Sequence, residues 1–339
     1  MVVVMARNDD RMRTQPQRAR LVRFALVLAS VVALLFAAGF ATTRVTVALS
    51  ERAYPPVGAF VRAGGVDLHY LRRGSGPTVV LLHGRDGTLQ EFTLSVFDRL
   101  AEHYDVIAFD RPGYGYSERP ADESLAIGVQ ARLLREALQA LAVEDPILVG
   151  HSYGGAVMLR YLVDFPDHAR GAVSLAGAAY VDEPPRGGLL ALPIVPVVGP
   201  LLTHTLVTPI APLVAASIYR EAFAPAEPPT GFVEAITALY ARPGQFSASA
   251  AELAVMYDSV QAAAARYGSI ESPLVILFGS EDRVLDVERD GRALAAAVPG
   301  AELVVVPSAG HKLHHTHPEQ LLEALARVVE RVGAGGEGP

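Results

Sequence analysis

Hydrophobic and polar positions along the chain change rhythm four times. First comes a run of twenty residues without a charge, Phe24 to Thr43. As a helix it would span ~30 Å, the thickness of a bilayer's hydrocarbon core, which predicts a membrane-spanning anchor. From Val61 the pattern shortens. Val61 to Tyr70 alternates around Gly64-Gly65 and predicts a β-hairpin at a sheet edge. Unbroken apolar runs at 78–82, 106–109, 147–149 and 171–176 predict strands buried on both faces of a parallel sheet. Helical stripes separate them, at 94–102 and at 127–141, where Leu133, Leu134, Leu138 and Leu141 share a face. Between residues 181 and 270 the alternation lapses among eleven prolines, too long for a loop and too irregular for more sheet. Strand rhythm returns at 274–278 and 302–306, with helices predicted over 287–298 and 319–332.

These boundaries predict a segmented chain. Residues 1–50 form a basic segment plus anchor, 51–180 the first part of an α/β core with a short stalk over 44–60, 181–270 an inserted helical cap, 271–332 the second part of the core, and 333–339 a flexible tail. The first half of the cap, Leu189 to Ala216, is almost without charge. It reads equally as a lining for a greasy substrate or a surface dipping into the membrane, and as a small core between cap and sheet.

Charge gives the anchor a direction. Net charge is −7, yet six arginines and two aspartates precede Phe24, leaving 23 basic and 34 acidic residues, a balance of −11, for the rest. Arginines before the apolar run stay cytoplasmic, which puts everything after residue 44 on the far side of the membrane. A cleaved signal peptide, giving a secreted protein, is the competing reading. Its apolar region is usually ~7–15 residues, and Gly39-Phe40-Ala41 is a weak cleavage site. A buried soluble helix is a third. No basic surface is left for nucleic acid. The absence of cysteine excludes disulfides, thiol nucleophiles and Cys-ligated metals.

Candidate chemistry centres on Gly150-His151-Ser152-Tyr153-Gly154, set between an apolar strand and an amphipathic segment. A Gly-x-Ser-x-Gly turn from strand to helix presents a serine hydroxyl at the carboxyl edge of a sheet, where a helix N-terminus favours negative charge. Such a hydroxyl needs a base of near-neutral pKa, and the base needs a carboxylate to fix its tautomer. Asp282 and His311 each follow the end of a predicted strand, and Ser152, Asp282, His311 is the chain order this architecture uses. Asp286 is the fallback acid. Asp110, also at a strand end, is read as fixing its turn through hydrogen bonds to its own backbone. His311, His314, His315 and His317 lack a carboxylate at helical spacing, so no metal is expected. His315 and His317 are expected on the solvated side of the final helix.

The chain from about Val61 to Val332 resembles α/β-hydrolase-fold enzymes of the capped serine-hydrolase branch, which includes esterases, lipases, proline iminopeptidases, carbon–carbon bond hydrolases and epoxide hydrolases. The resemblance rests on His83-Gly84, Asp110-Arg111-Pro112-Gly113-Tyr114-Gly115-Tyr116-Ser117, Gly150-His151-Ser152-Tyr153-Gly154-Gly155, Gly279-Ser280-Glu281-Asp282 and Gly310-His311. It implies a mostly parallel sheet with helices on both faces, no cofactor, and oxyanion-hole N–H groups from Arg85 and Tyr153. Ser152 departs from the aspartate nucleophile of epoxide hydrolases and dehalogenases. Arg85 is unusual and would pair with Asp86 or with a substrate carboxylate. The expected activity is a membrane-anchored serine hydrolase cleaving carboxylic esters of hydrophobic small molecules through an acyl-serine intermediate. An aminopeptidase, a carbon–carbon bond hydrolase and a non-catalytic anchored binding protein are the alternatives, and the sequence leaves the oligomeric state open.

Overall fold

The computed structural model describes residues 10–121, 123–183 and 192–335. Eight strands form one sheet: β1 Ala59–Ala63, β2 Val66–Arg73, β3 Thr78–Leu82, β4 Asp105–Phe109, β5 Ile147–His151, β6 Gly171–Leu175, β7 Leu274–Gly279 and β8 Glu302–Val306, in the order β1-β2-β4-β3-β5-β6-β7-β8. The Gly64-Gly65 hairpin pairs β1 with β2 in antiparallel fashion at one edge, and β2 meets β4 the same way. Every other pair is parallel. All residues of β4, β5, β6 and β7 are buried. Successive side chains point to opposite faces, so both faces of the sheet are covered. The helices Ile127–Ala140, Tyr153–Asp164 and Pro318–Gly335 supply much of that cover.

Two predicted helices differ in detail. The helix expected over 94–102 is confined to Phe97–Ala101, with a separate short helix before it at Gln90–Thr93, and the stretch after Asp286 opens as a π-helix, Val287–Arg292, before an α-turn at Ala293–Ala297.

The N-terminal helix runs without a break from Asp10 to Ala53, so the first half of the proposed stalk continues it. It is long and apolar enough to cross a membrane. Between β6 and β7 the chain leaves the sheet for the cap. Its described part holds a continuous helical run, Val198–Leu202, Thr203–Val207 with π geometry and Thr208–Phe223, followed by helices Phe232–Tyr240 and Pro243–Ala264. Val198–Phe223 is also long and apolar enough to cross a membrane, a length the proline-rich sequence did not predict. Pro184, Pro185 and the start of the apolar cap stretch at Leu189 lie outside the described residues, as do Arg7, Asp9 and residues 336–339.

Candidate functional site

Ser152 stands between β5 and the helix Tyr153–Asp164 with φ 52° and ψ −122°, a conformation that costs a non-glycine residue about 1–3 kcal/mol. Backbone hydrogen bonds hold it there: Ser152 N–H donates to Leu175 O at 3.2 Å, and Ala178 N–H to Ser152 O at 2.9 Å. The flanking glycines are required sterically. A Cβ at Gly154 would sit 2.3 Å from Leu82 O, and one at Gly150 2.5 Å from Gly154 O. The turn therefore packs against the end of β3, from which the His83-Gly84 loop departs.

His311 Nδ1 lies 2.8 Å from Asp282 Oδ2. Asp282 Oδ1 accepts the N–H groups of Val284 and Leu285 at 2.8 and 2.9 Å, which fixes the carboxylate. Burial pushes the Asp282 carboxyl up, but the bond to His311 and the two N–H donors outweigh it and hold the pKa below the usual range. Ser152 and His311 both line one cavity of about 1060 Å³, and Arg85 lines it with them. Tyr153 opens the helix after Ser152, and the first N–H groups of a helix have no partner within it. Arg85 turns its guanidinium to Asp86 at 3.7 Å, and that charge raises its pKa.

Other candidates have other partners. Asp110 accepts Tyr116 N–H at 2.9 Å and Leu89 N–H at 2.8 Å and lies 2.7 Å from His69 Nδ1, so it fixes its turn and two neighbouring segments. Asp286 accepts Glu288 N–H at 2.8 Å and starts the following helix. The expected solvated position of His315 is corrected. Its ring packs 5.3 Å from that of Phe223 and 4.8 Å from that of Phe232, and burial drives its pKa down to about 2.

Sequence reasoning missed two buried groups that hold the loops together. Arg111 donates to His83 O at 2.9 Å and Gly84 O at 3.1 Å, and it is paired with Glu252 from the cap helix Pro243–Ala264. Tyr114 OH and Gln130 Nε2 complete the shell of Glu252, at 2.7 and 2.8 Å. The second hub is Glu91. One of its oxygens accepts Gly84 N–H at 3.1 Å. The other meets the Lys312 ammonium and lies 3.0 Å from His151 Nδ1 and 3.6 Å from His314 Nε2. Glu91 thus touches the loop before Arg85, the residue before Ser152 and the residue after His311. One signal was available: Lys312 is the single lysine of the chain, beside the candidate base.

The donor atoms of Glu91, His151 and His314 lie within 4.8 Å of one another, close enough to consider a metal. The acid comes from far back in the chain, where helical spacing could not reveal it. Lys312 already balances the charge of this carboxylate. Glu91→Gln, which strands the ammonium, is expected to cost about 3–5 kcal/mol of stability, and Glu91→Gln/Lys312→Met to recover most of it. Urea unfolding of the two variants checks this.

Burial also sets an acid limit. It holds His83 and His151 down to a pKa of about 4, and His314 to about 3. Each is depressed below the unfolded value of about 6.5, so the unfolded chain binds the extra proton and stability is lost as pH falls from there towards 4. Glu91, also depressed, stays ionised in that window. Unfolding free energy is expected to fall below about pH 6.5 by up to about 1.4 kcal/mol per pH unit for each histidine, read as a lower melting temperature at pH 5 than at pH 7. His314→Phe should make the slope shallower.

Comparison with known proteins agrees with this architecture. The description "alpha/beta hydrolase fold" applies to the family whose sequence model matches residues 77–318. A 2-hydroxy-6-oxo-2,4-heptadienoate hydrolase of Pseudomonas putida is 28% identical over 263 residues, covering 75% of this chain and 90% of that protein. Among solved structures, an esterase from Exiguobacterium antarcticum superposes with a TM-score of 0.66 at 23% identity, covering 81% of this chain and all of that one. A bacterial membrane phospholipase A superposes with a TM-score of 0.60 at 22% identity, covering 93% of this chain and 99% of that one, so that likeness runs into the N-terminal helix. With a strand-turn-helix serine, a histidine–aspartate pair at neighbouring strand ends and a family match over most of its length, the chain belongs to the α/β-hydrolase fold family.

Proposed function

We propose that this hydrolase is a serine esterase held in a membrane by its N-terminal helix, with its catalytic part on the extracytoplasmic side, acting on esters with a hydrophobic acyl or alcohol part. The observation that carries the reading is the His311–Asp282 pair, whose imidazole lines one large, mainly apolar cavity together with Ser152. Ser152 Oγ attacks the ester carbonyl and its proton passes to His311. Asp282 holds the imidazole in the required tautomer and steadies the imidazolium. The N–H groups of Arg85 and Tyr153 receive the developing oxyanion, each contributing about 10²–10³ in rate. The C–O bond then breaks, the alcohol leaves with the proton from His311, and acyl-Ser152 remains. Water gives a proton to His311 and attacks the acyl carbon. Release of the carboxylic acid returns the proton to Ser152.

The charges lining the cavity favour a neutral substrate. Arg85 is near Asp86, Arg283 lies 4.0 Å from Glu221, and Lys312 is paired with Glu91. The same pairing weighs against an aminopeptidase: of the cap acids Glu221, Glu227 and Glu234, Glu221 alone lines the cavity. A carbon–carbon bond hydrolase is the second reading, favoured by the similarity to the Pseudomonas putida enzyme. A fluorophosphonate probe tests the serine reading: it should label the wild type and leave Ser152→Ala unlabelled, and an unlabelled wild type overturns it. Side-by-side turnover of aliphatic esters and a dienoate separates the two hydrolase readings.

A further inference from the structure

The cap segment that covers Ser152 is also the part of the surface nearest the anchor. Pro209 has no N–H to give to Thr205 O four residues earlier, and Gly39 of the N-terminal helix lies against that carbonyl. A Cβ at Gly39 would sit 2.3 Å from it. The Phe40 ring lies 6.2 Å from that of His204, and Thr43 and Thr203 are both buried. These contacts fall on the last turns of the uncharged run Phe24 to Thr43, just before Arg44. If that run spans the bilayer, the cap meets it at the height of the outer leaflet's interface.

At this height the cap presents an apolar surface. Val197 is 81% and Leu213 80% exposed, with Leu201 and Val198 also exposed. Leu206, Ile210, Val214 and Ile218, at four-residue spacing on one helical stripe, are exposed as well, and all four line the catalytic cavity. The wall of the cavity and the apolar surface share side chains, so the cavity opens onto that surface.

The geometry points to the cap helix Val198–Phe223 docking in the outer leaflet, and to acyl esters of membrane lipids as the substrate class, entering the cavity directly from the bilayer. This rests on the anchored serine-esterase reading and extends it. Continuity with the anchor selects a lipid surface over a second copy of the chain, because the same cap helix packs, through Thr205 and His204, on the anchor helix, whose earlier turns lie in lipid in the anchored reading. Exposed aliphatic side chains at the interface anchor in the boundary between headgroups and acyl chains. An acyl chain passing along Leu206, Ile210 and Val214 then remains in apolar surroundings until its carboxyl carbon reaches Ser152.

The test uses the full chain in vesicles of phosphatidylcholine and phosphatidylglycerol containing a phospholipid with a fluorogenic acyl ester, with p-nitrophenyl butyrate as the soluble comparison. Wild type should cleave both. Val197→Asp/Leu213→Asp, which changes side chains outside the cavity, should lose about tenfold or more on the vesicle lipid and keep its rate on the soluble ester. Equal rates of wild type and variant on the lipid overturn the docking. Cleavage of butyrate alone by wild type overturns the lipid substrate and leaves the esterase standing, whereas failure on both together with an unlabelled Ser152 overturns the esterase itself. Because the chain has no cysteine, Leu213→Cys carries a single fluorophore. Lipids spin-labelled near the headgroup should quench it and leave a fluorophore at Arg170→Cys, at the opposite end of the strands, unquenched. Protection of position 213 without quenching, as a second copy of the chain would give, overturns the proposal.

Discussion

His311→Ala is expected to lower kcat for ester hydrolysis by about 10⁶-fold, with KM changed by no more than a few-fold. The size follows from the interdependence of the three groups. Without an imidazole to take its proton, the Ser152 hydroxyl stays a poor nucleophile, and Asp282 has nothing to orient. What remains is binding and the oxyanion donors, a residual acceleration of about 10³–10⁴ over water. Steady-state assay with p-nitrophenyl esters measures it. A variant retaining a tenth of wild-type kcat would mean that another group serves as base. His151 is the nearest other imidazole, with ring centroids 4.8 Å apart, but burial keeps it neutral and within 3.0 Å of Glu91.

Glu252→Ala is expected to be the most damaging substitution in the cap, costing about 3–5 kcal/mol. It leaves the Arg111 guanidinium, 2% exposed, without its carboxylate, and strips Tyr114 and Gln130 of an acceptor. The loss reaches the chemistry because Arg111 holds the carbonyls of His83 and Gly84, the residues that lead to Arg85. Thermal unfolding should show the destabilisation, and fluorophosphonate labelling of the surviving folded fraction should slow. Glu252→Gln keeps the hydrogen bonds without the charge and should fall between the two.

The parts legible in the sequence were those written locally. Buried parallel strands announce themselves as unbroken apolar runs, and the turn at Ser152 carries its own glycines, so the sheet and the strand ends bearing Ser152, Asp282 and His311 could be placed before any coordinates. The helices between β6 and β7 could not be drawn. Prolines at 200, 209 and 212 suggested short pieces, whereas the helical run continues through them, with Pro200 in its first turn, π geometry over Thr203–Val207 just before Pro209, and Pro212 inside the α-helix. The hubs at Glu91 and Glu252 were illegible for a different reason. A buried carboxylate has no sequence signature when its partners, Lys312 and Arg111, arrive from distant parts of the chain. The burial of His315 depended on Phe223 and Phe232, which only the cap's return over the sheet brings near.

The excursion between β6 and β7 also gives the activity a moment of onset. These neighbouring strands are separated by everything from Ala176 to Pro273, and closing so long a loop is slow relative to pairing strands joined by short turns. Ser152 is synthesised before that detour, while Asp282 and His311 follow only after it. A chain synthesised only as far as β6 therefore carries Ser152 with neither Asp282 nor His311 to serve it. On the proposed esterase reading, no ester is cleaved until β7 and β8 have joined the sheet.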